Sequence, residues 1–129
     1  MSQYMLQLWL IMINIKIVIF IMLWHFISDW LLQADWMAIG KSKRFGFNKS
    51  MISHIGVITL AWIPFGFIFG LLNALSHWII DAISSQFTSY FWKKEQRHWF
   101  FVTIGFDQFL HMFCLFGLLE FIPSSFIQI

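Results

Sequence analysis

Apolar residues run through this chain in stretches of about twenty, and charged residues or helix breakers separate one stretch from the next. A transmembrane helix needs roughly 20 mostly apolar residues, so the pattern predicts an all-α integral membrane protein, a bundle of four transmembrane helices. The spans are expected at about 14–38, 49–69, 71–92 and 99–121, with Pro64 kinking or ending the second. Residues 1–13 are apolar too and either extend the first span or lie at the interface; Lys16, just after them, can snorkel outward. No repeat, low-complexity segment or linker interrupts 1–129, which reads as a single membrane domain.

Composition agrees. The chain is 60% hydrophobic and 11% charged, against about 25% charged in ordinary soluble domains. Its 17 phenylalanines and eight tryptophans would leave large sticky patches in water, whereas lipid-facing aromatics and interfacial tryptophans are normal in a bilayer. The aromatics therefore read as lipid-facing bulk rather than a stacking platform, and no nucleic-acid partner is expected. The single cysteine, Cys114, rules out a disulfide framework within the chain and reads as apolar filler. With no basic n-region and no small-residue cleavage site, the N-terminus is expected to be that of the mature protein.

Charge placement suggests an orientation. Lys41, Lys43, Arg44 and Lys49 fall in the first connection and Lys93, Lys94 and Arg97 in the third, seven of the eight cations. The positive-inside rule then puts both basic connections in the cytoplasm and both termini outside. These charges set topology and touch anionic lipid; as a collar, Lys41, Lys43, Arg44 and Arg97 would also draw a phosphate-bearing substrate to the site described next. Asp35 and His98, near helix ends, read as solvated interface residues.

Three His/Asp pairs stand four residues apart: His25 with Asp29, His77 with Asp81, and Asp107 with His111. That spacing puts both members on one helix face, and chance placement of five His and four Asp gives only about 0.3 such pairs. Each pair lies in a different span, and His54 gives the remaining span a donor of its own. At about 1.5 Å per residue the aspartates are expected in one layer, roughly 12–17 Å from the cytoplasmic helix ends, with their histidines one turn deeper and His54 shallower. Gln33, Asn73 and Ser85 continue the same faces at four-residue steps. A single intramembrane histidine reads equally well as a hydrogen-bonded packing residue, but three carboxylates with no Arg or Lys expected at their depth require protons or a bound cation. His25, Asp29, His54, His77, Asp81, Asp107 and His111 form a donor set for divalent transition metals, zinc first and manganese or iron next. Seven donors exceed one tetrahedral ion; two ions with a bridging aspartate use them all.

The segments HFISDWLLQADWMA at 25–38, the GKSK that follows, His54, NALSHWIID at 73–81 and FDQFLH at 106–111 together resemble domain-of-unknown-function family 3307, small bacterial and phage membrane proteins. The resemblance covers nearly all the chain after about residue 20. It implies a shared membrane fold, in the bacterial inner membrane, and supplies no activity. The style of the site, His and Asp at i, i+4 on helices, is also similar to membrane-bound metal-dependent hydrolases and to the helical fold of zinc-dependent phospholipase C and its related nucleases.

Several functions share these residues. The leading expectation is a metal-dependent hydrolase of a phosphoester or lipid head group: Asp29, Asp81 and Asp107 are catalytic, water activated by the metal is the nucleophile, and Gln33 and Gln108 support the ligands or touch substrate. Divalent-ion or proton transport, if four helices oligomerise, is a second. A bis-His haem or di-iron redox protein is a third, although haem leaves the aspartates without a role. The fourth is an accessory protein in which metal only staples the bundle.

Overall fold

The computed structural model describes residues 2–129, the side chains of 8–13 excepted. The described residues form helices and connecting turns: α1 (Gln3–Phe26), a π-helical turn (Ile27–Leu31), α2 (Asp35–Gly40), α3 (Lys49–Trp62), α4 (Phe67–Lys93) and α5 (Arg97–Phe121), with short 3-10 turns at Lys43–Gly46, Ile63–Phe65 and Ser124–Phe126. Three segments are long and apolar enough to cross a membrane: Asn14–Leu31, Phe67–Lys93 and Arg97–Phe121.

Local chemistry sets most of the boundaries. Ser2 caps α1 by accepting from Met5 N, and the helix runs unbroken from Gln3 to Phe26. Asn48 caps α3 through Met51 N. Pro64 and Gly66 end α3: the chain tightens into Ile63–Phe65, and Gly66 turns at φ 141°, a conformation that suits glycine alone.

Two expected spans come out differently. The first does not continue helically to residue 38. It loosens into the π turn, breaks at 32–34 and resumes as the six-residue α2. The second is not a 21-residue helix: its 14 helical residues cover about 21 Å, or about 27 Å with the Ile63–Phe65 turn.

α4 is the central element, packed against both α3 and α5, while α2 lies on α3. Its inner stripe, Phe69, Gly70, Asn73, Ala74, His77, Asp81, Ala82 and Ser85, repeats every three or four residues. At Gly70 the backbone of Ile63 passes close enough to leave no room for a side chain. The outward faces are apolar: Leu60 is 77% exposed and Phe121 86%, an arrangement lipid tolerates and water does not.

The interior is layered. His25, His54 and His111 are followed, four residues away on their own helices, by Ile21, Ile58 and Leu115, all fully buried. With Trp62 and Phe69 these make an apolar plug on the side of the site facing the Gly66 turn. On the other side, the 41–48 connection is fastened to α4 by Gln86 Nε2 donating to Ser42 O and Trp78 Nε1 donating to Gly46 O. That connection is thus level with residues 78–86 of α4, and the end of α4 and the start of α5 project about 10 Å past it.

Candidate metal centre

The π turn carries Ser28 and Asp29 inward; such turns often mark functional positions. Ser28 receives a hydrogen bond from Trp62 Nε1, 3.1 Å, which ties the turn to α3. Asp29 Oδ1 then lies 3.1 Å from His54 Nε2 and 3.2 Å from His77 Nε2, and the two imidazole nitrogens are 3.1 Å apart. Asp81 Oδ2 completes the group, 3.2 Å from His54 Nε2 and 3.6 Å from His77 Nε2.

These distances are the edges of a tetrahedron. A zinc ion with ligands at about 2.0–2.1 Å implies ligand-to-ligand edges of about 3.3 Å, and the five edges above run from 3.1 to 3.6 Å. If both imidazole nitrogens carry a proton for the carboxylates, their own 3.1 Å contact sets two donors face to face; a shared cation between the four atoms removes that conflict. Asp81 Oδ2 has no aligned hydrogen-bond donor, and Nδ1 of His54 and of His77 is likewise without a partner. The donors fit a tetrahedral divalent ion.

Asp81 faces two ways. Its Oδ1 is 3.1 Å from His111 Nε2, which is 3.3 Å from Asp107 Oδ2. Asp81, Asp107 and His111 form a second group with metal-ligand spacing, sharing Asp81 with Asp29, His54 and His77. The i, i+4 partners do lie near one another, at 3.5, 3.6 and 3.3 Å. The closest His/Asp contacts of Asp29 and Asp81, however, cross between helices, and His54 sits in the same layer as the others rather than above it.

His25 falls outside both groups. Its Nε2 donates to Gln108 Oε1 at 3.0 Å, and Gln108 Nε2 donates to Asp29 Oδ2 and Asp107 Oδ2, each at 3.0 Å. Gln108 thereby joins the first carboxylate to the third. Ser84 Oγ donates to Asp107 Oδ1. Asn73 and Ser85 are buried on the same stripe; Asn73 Nδ2 and Gln33 Oε1 have no hydrogen-bond partner.

The expectation that no basic side chain reaches the aspartates is overturned. Lys41 Nζ is 2.7 Å from Asp81 Oδ2 and 4.0 Å from Asp29 Oδ1, with only 13% of its side chain exposed. The sequence places Lys41 in a loop, and the break after Leu31 lets α2 carry that loop back down to the carboxylate layer. Asn48 Nδ2 holds it there by donating to the carbonyls of Lys41 and Lys43. The other cations take separate places: Arg97 stacks on Trp92, 3.7 Å from the ring centre, and donates to its carbonyl, Lys49 lies over Trp36, and Arg44 is exposed in a left-handed turn, φ 48°. Ser28, three residues after His25, and Ser84, three after Asp81, lie on the faces of the His/Asp pairs, a signal the four-residue steps alone pass over; the inward Lys41 has no motif to reveal it.

A cleft of about 240 Å³ opens onto the centre between the π turn, α4 and α5, reaching Asp29, Lys41, Asp81, Asp107 and Gln108. A second, of about 540 Å³, continues toward the projecting end of α4, sharing Ala38, Ser85, Thr88 and Phe100 with the first.

No curated protein matches this chain, and no solved structure matches it. The family described as "Protein of unknown function (DUF3307)" matches residues 17–127, which include the whole His/Asp cluster. The chain belongs to the DUF3307 family.

Proposed function

We propose that this is an integral membrane protein of the bacterial inner membrane carrying a dinuclear divalent-metal centre that hydrolyses a phosphoester or lipid head group. Asp29, His54, His77 and Asp81 hold one ion and Asp81, Asp107 and His111 the other, zinc first and manganese or iron next. The observation that carries this reading is the shared carboxylate: Asp81 presents one oxygen to each donor group, and both groups border an open cleft. Charge supports metal binding. With neutral imidazoles, as ligation requires, three carboxylates and the Lys41 ammonium leave two negative charges, which one divalent ion matches; a second ion leaves positive charge for hydroxide or an anionic substrate.

A divalent ion in such a site supplies Lewis acidity toward a phosphoryl oxygen and lowers the pKa of water toward 7. The chain's own residues do the rest. Gln108 keeps Asp29 and Asp107 in register, His25 fixes the Gln108 amide, and Lys41, at the cleft wall, neutralises Asp81. The apolar plug beyond the histidines favours a site open on one side over a through-membrane path, and so hydrolysis over transport.

A second reading has its own support. The donors come from the π turn, α3, α4 and α5, so an ion there would cross-link most of the bundle and serve as a staple.

Elemental analysis of protein purified without chelator should find one or two divalent ions per chain, with turnover of a phosphoester in detergent. Asp81→Asn should lose metal and reduce turnover at least a hundredfold while keeping its helical circular dichroism. Metal-free protein would sink both readings; metal-replete protein inert toward phosphomonoesters and phosphodiesters would leave the staple.

A further inference from the structure

The larger cleft is not needed to hold metal, and its lining differs from that of the site. It lies between α2, the last three turns of α4 and the first turn of α5. One wall is apolar, with Ile39, Trp92 and Phe100. The floor is a row of hydroxyls on α4, Ser85, Thr88 and Ser89, at helical spacing. Two cations, Lys43 and Lys93, come from different connections and converge on this one cleft. Neither has an acidic partner among the described residues, unlike Lys41, whose charge is consumed by Asp81 and Asp29.

Three properties select the occupant. Unpaired cations call for an anion, and hydroxyls beside them for phosphoryl oxygens. A volume of about 540 Å³ lies in the range of sites for whole small molecules, far beyond what an inorganic anion fills. The apolar wall reaches the exposed apolar surface at Ile39, 77% exposed, so an aliphatic chain can leave on the α2 side, toward the bilayer.

We propose that this cleft is the binding vestibule for a phosphate-bearing lipid amphiphile. Lys43 and Lys93 clamp the phosphate, the Ser89 hydroxyl donates to it while those of Ser85 and Thr88 donate to the Ala82 and Ser85 carbonyls of their own helix, and the chain lies along Ile39, Trp92 and Phe100. Ala38, Ser85, Thr88 and Phe100 belong to both clefts, so the phosphate has a continuous route to the Asp29/Asp81/Asp107 layer. Naming this ligand as the substrate rests on the hydrolase reading; its binding does not.

The test uses the full chain in amphipol, without competing detergent, and dodecyl phosphate below its micelle threshold. Binding is measured by calorimetry beside inorganic phosphate and dodecyl maltoside. Dodecyl phosphate should bind at least tenfold more tightly than either. Lys43→Ala combined with Lys93→Ala, both exposed positions, should weaken it at least tenfold, and Ser89→Trp, which fills the cleft, should abolish it with metal content unchanged. Equal affinity for inorganic phosphate and dodecyl phosphate, or indifference to both variants, would overturn the vestibule. The expected binding pattern without any turnover supports the vestibule and counts against the hydrolase reading alone.

Discussion

Lys41 shows how much one side chain decides. Its ammonium forms an ion pair, at 2.7 Å, with an oxygen that is also a vertex of the four-donor group, so it serves as the standing counter-charge of a site that otherwise concentrates carboxylates in a low-dielectric interior. Removing it strands that charge. Lys41→Met should destabilise chelator-treated protein by about 3 kcal/mol or more, and added zinc should restore most of the loss, because a divalent ion at the same oxygens supplies the missing positive charge. Thermal unfolding followed by circular dichroism, with and without zinc, reads both effects; a variant as stable as the parent in chelator would remove Lys41 from this role. Gln108 works by a different chemistry: as a neutral amide it both donates and accepts, so it can bridge Asp29 and Asp107 while receiving the His25 N–H, where a glutamate would add a fourth negative charge.

At the scale of elements, the irregular pieces do the positioning. Regular α-helix through residues 27–38 would carry Lys41 away from the carboxylates; the π turn and the break at 32–34 fold α2 back over α3. Likewise α3 is short because Pro64 and Gly66 stop it. Gly66 adopts φ 141° with the Phe126 carbonyl packed against it. Gly66→Ala should therefore cost about 2 kcal/mol, seen as a lower midpoint of thermal unfolding. Because the apolar plug separates this turn from the donors, metal content should stay at the parental level; loss of metal in this variant would show that turn and site are not independent.

The whole molecule inverts the usual distribution of polarity: buried His, Asp, Asn and Ser inside, exposed Leu, Ile and Phe outside. α3 with its terminal turn runs antiparallel beside α4 over about 27 Å, close to the hydrocarbon thickness of roughly 30 Å. A fourth crossing there is the expectation under test, and with it the positive-inside rule puts both basic connections on the cytoplasmic side and both termini outside. Single cysteines in a Cys114→Ala background test this. Arg44→Cys and Glu95→Cys should react with a water-soluble maleimide only after the inner face is opened, and Gln3→Cys from outside intact cells. The projecting end of α4 makes a sharper demand: Tyr90→Cys should label as readily as Glu95→Cys, whereas Ile79→Cys should stay protected. Labelling of position 44 from outside would reverse the orientation, and a protected position 90 would remove the projection.

What the sequence determined follows from short-range rules. The charged 93–97 turn is a local signal, so the helices expected at 71–92 and 99–121 meet there within two residues of the observed ends; α4 nevertheless begins four residues earlier, at Phe67, because Gly66 ends the preceding turn. The i, i+4 steps identified the His/Asp residues, since helical geometry alone puts each pair on one face. Tertiary structure decided the rest. Which histidine meets which aspartate depends on how four elements pack, and nothing in the spacing of His25 and Asp29 indicates that Asp29 approaches His54 and His77 more closely. The same holds for Lys41. In the sequence its charge is a feature of a basic connection, and only the fold of α2, pinned by Asn48, brings a loop lysine against two buried carboxylates. Sequence spacing reports neighbours along one helix, whereas a site built between helices is fixed by long-range packing that no local pattern encodes.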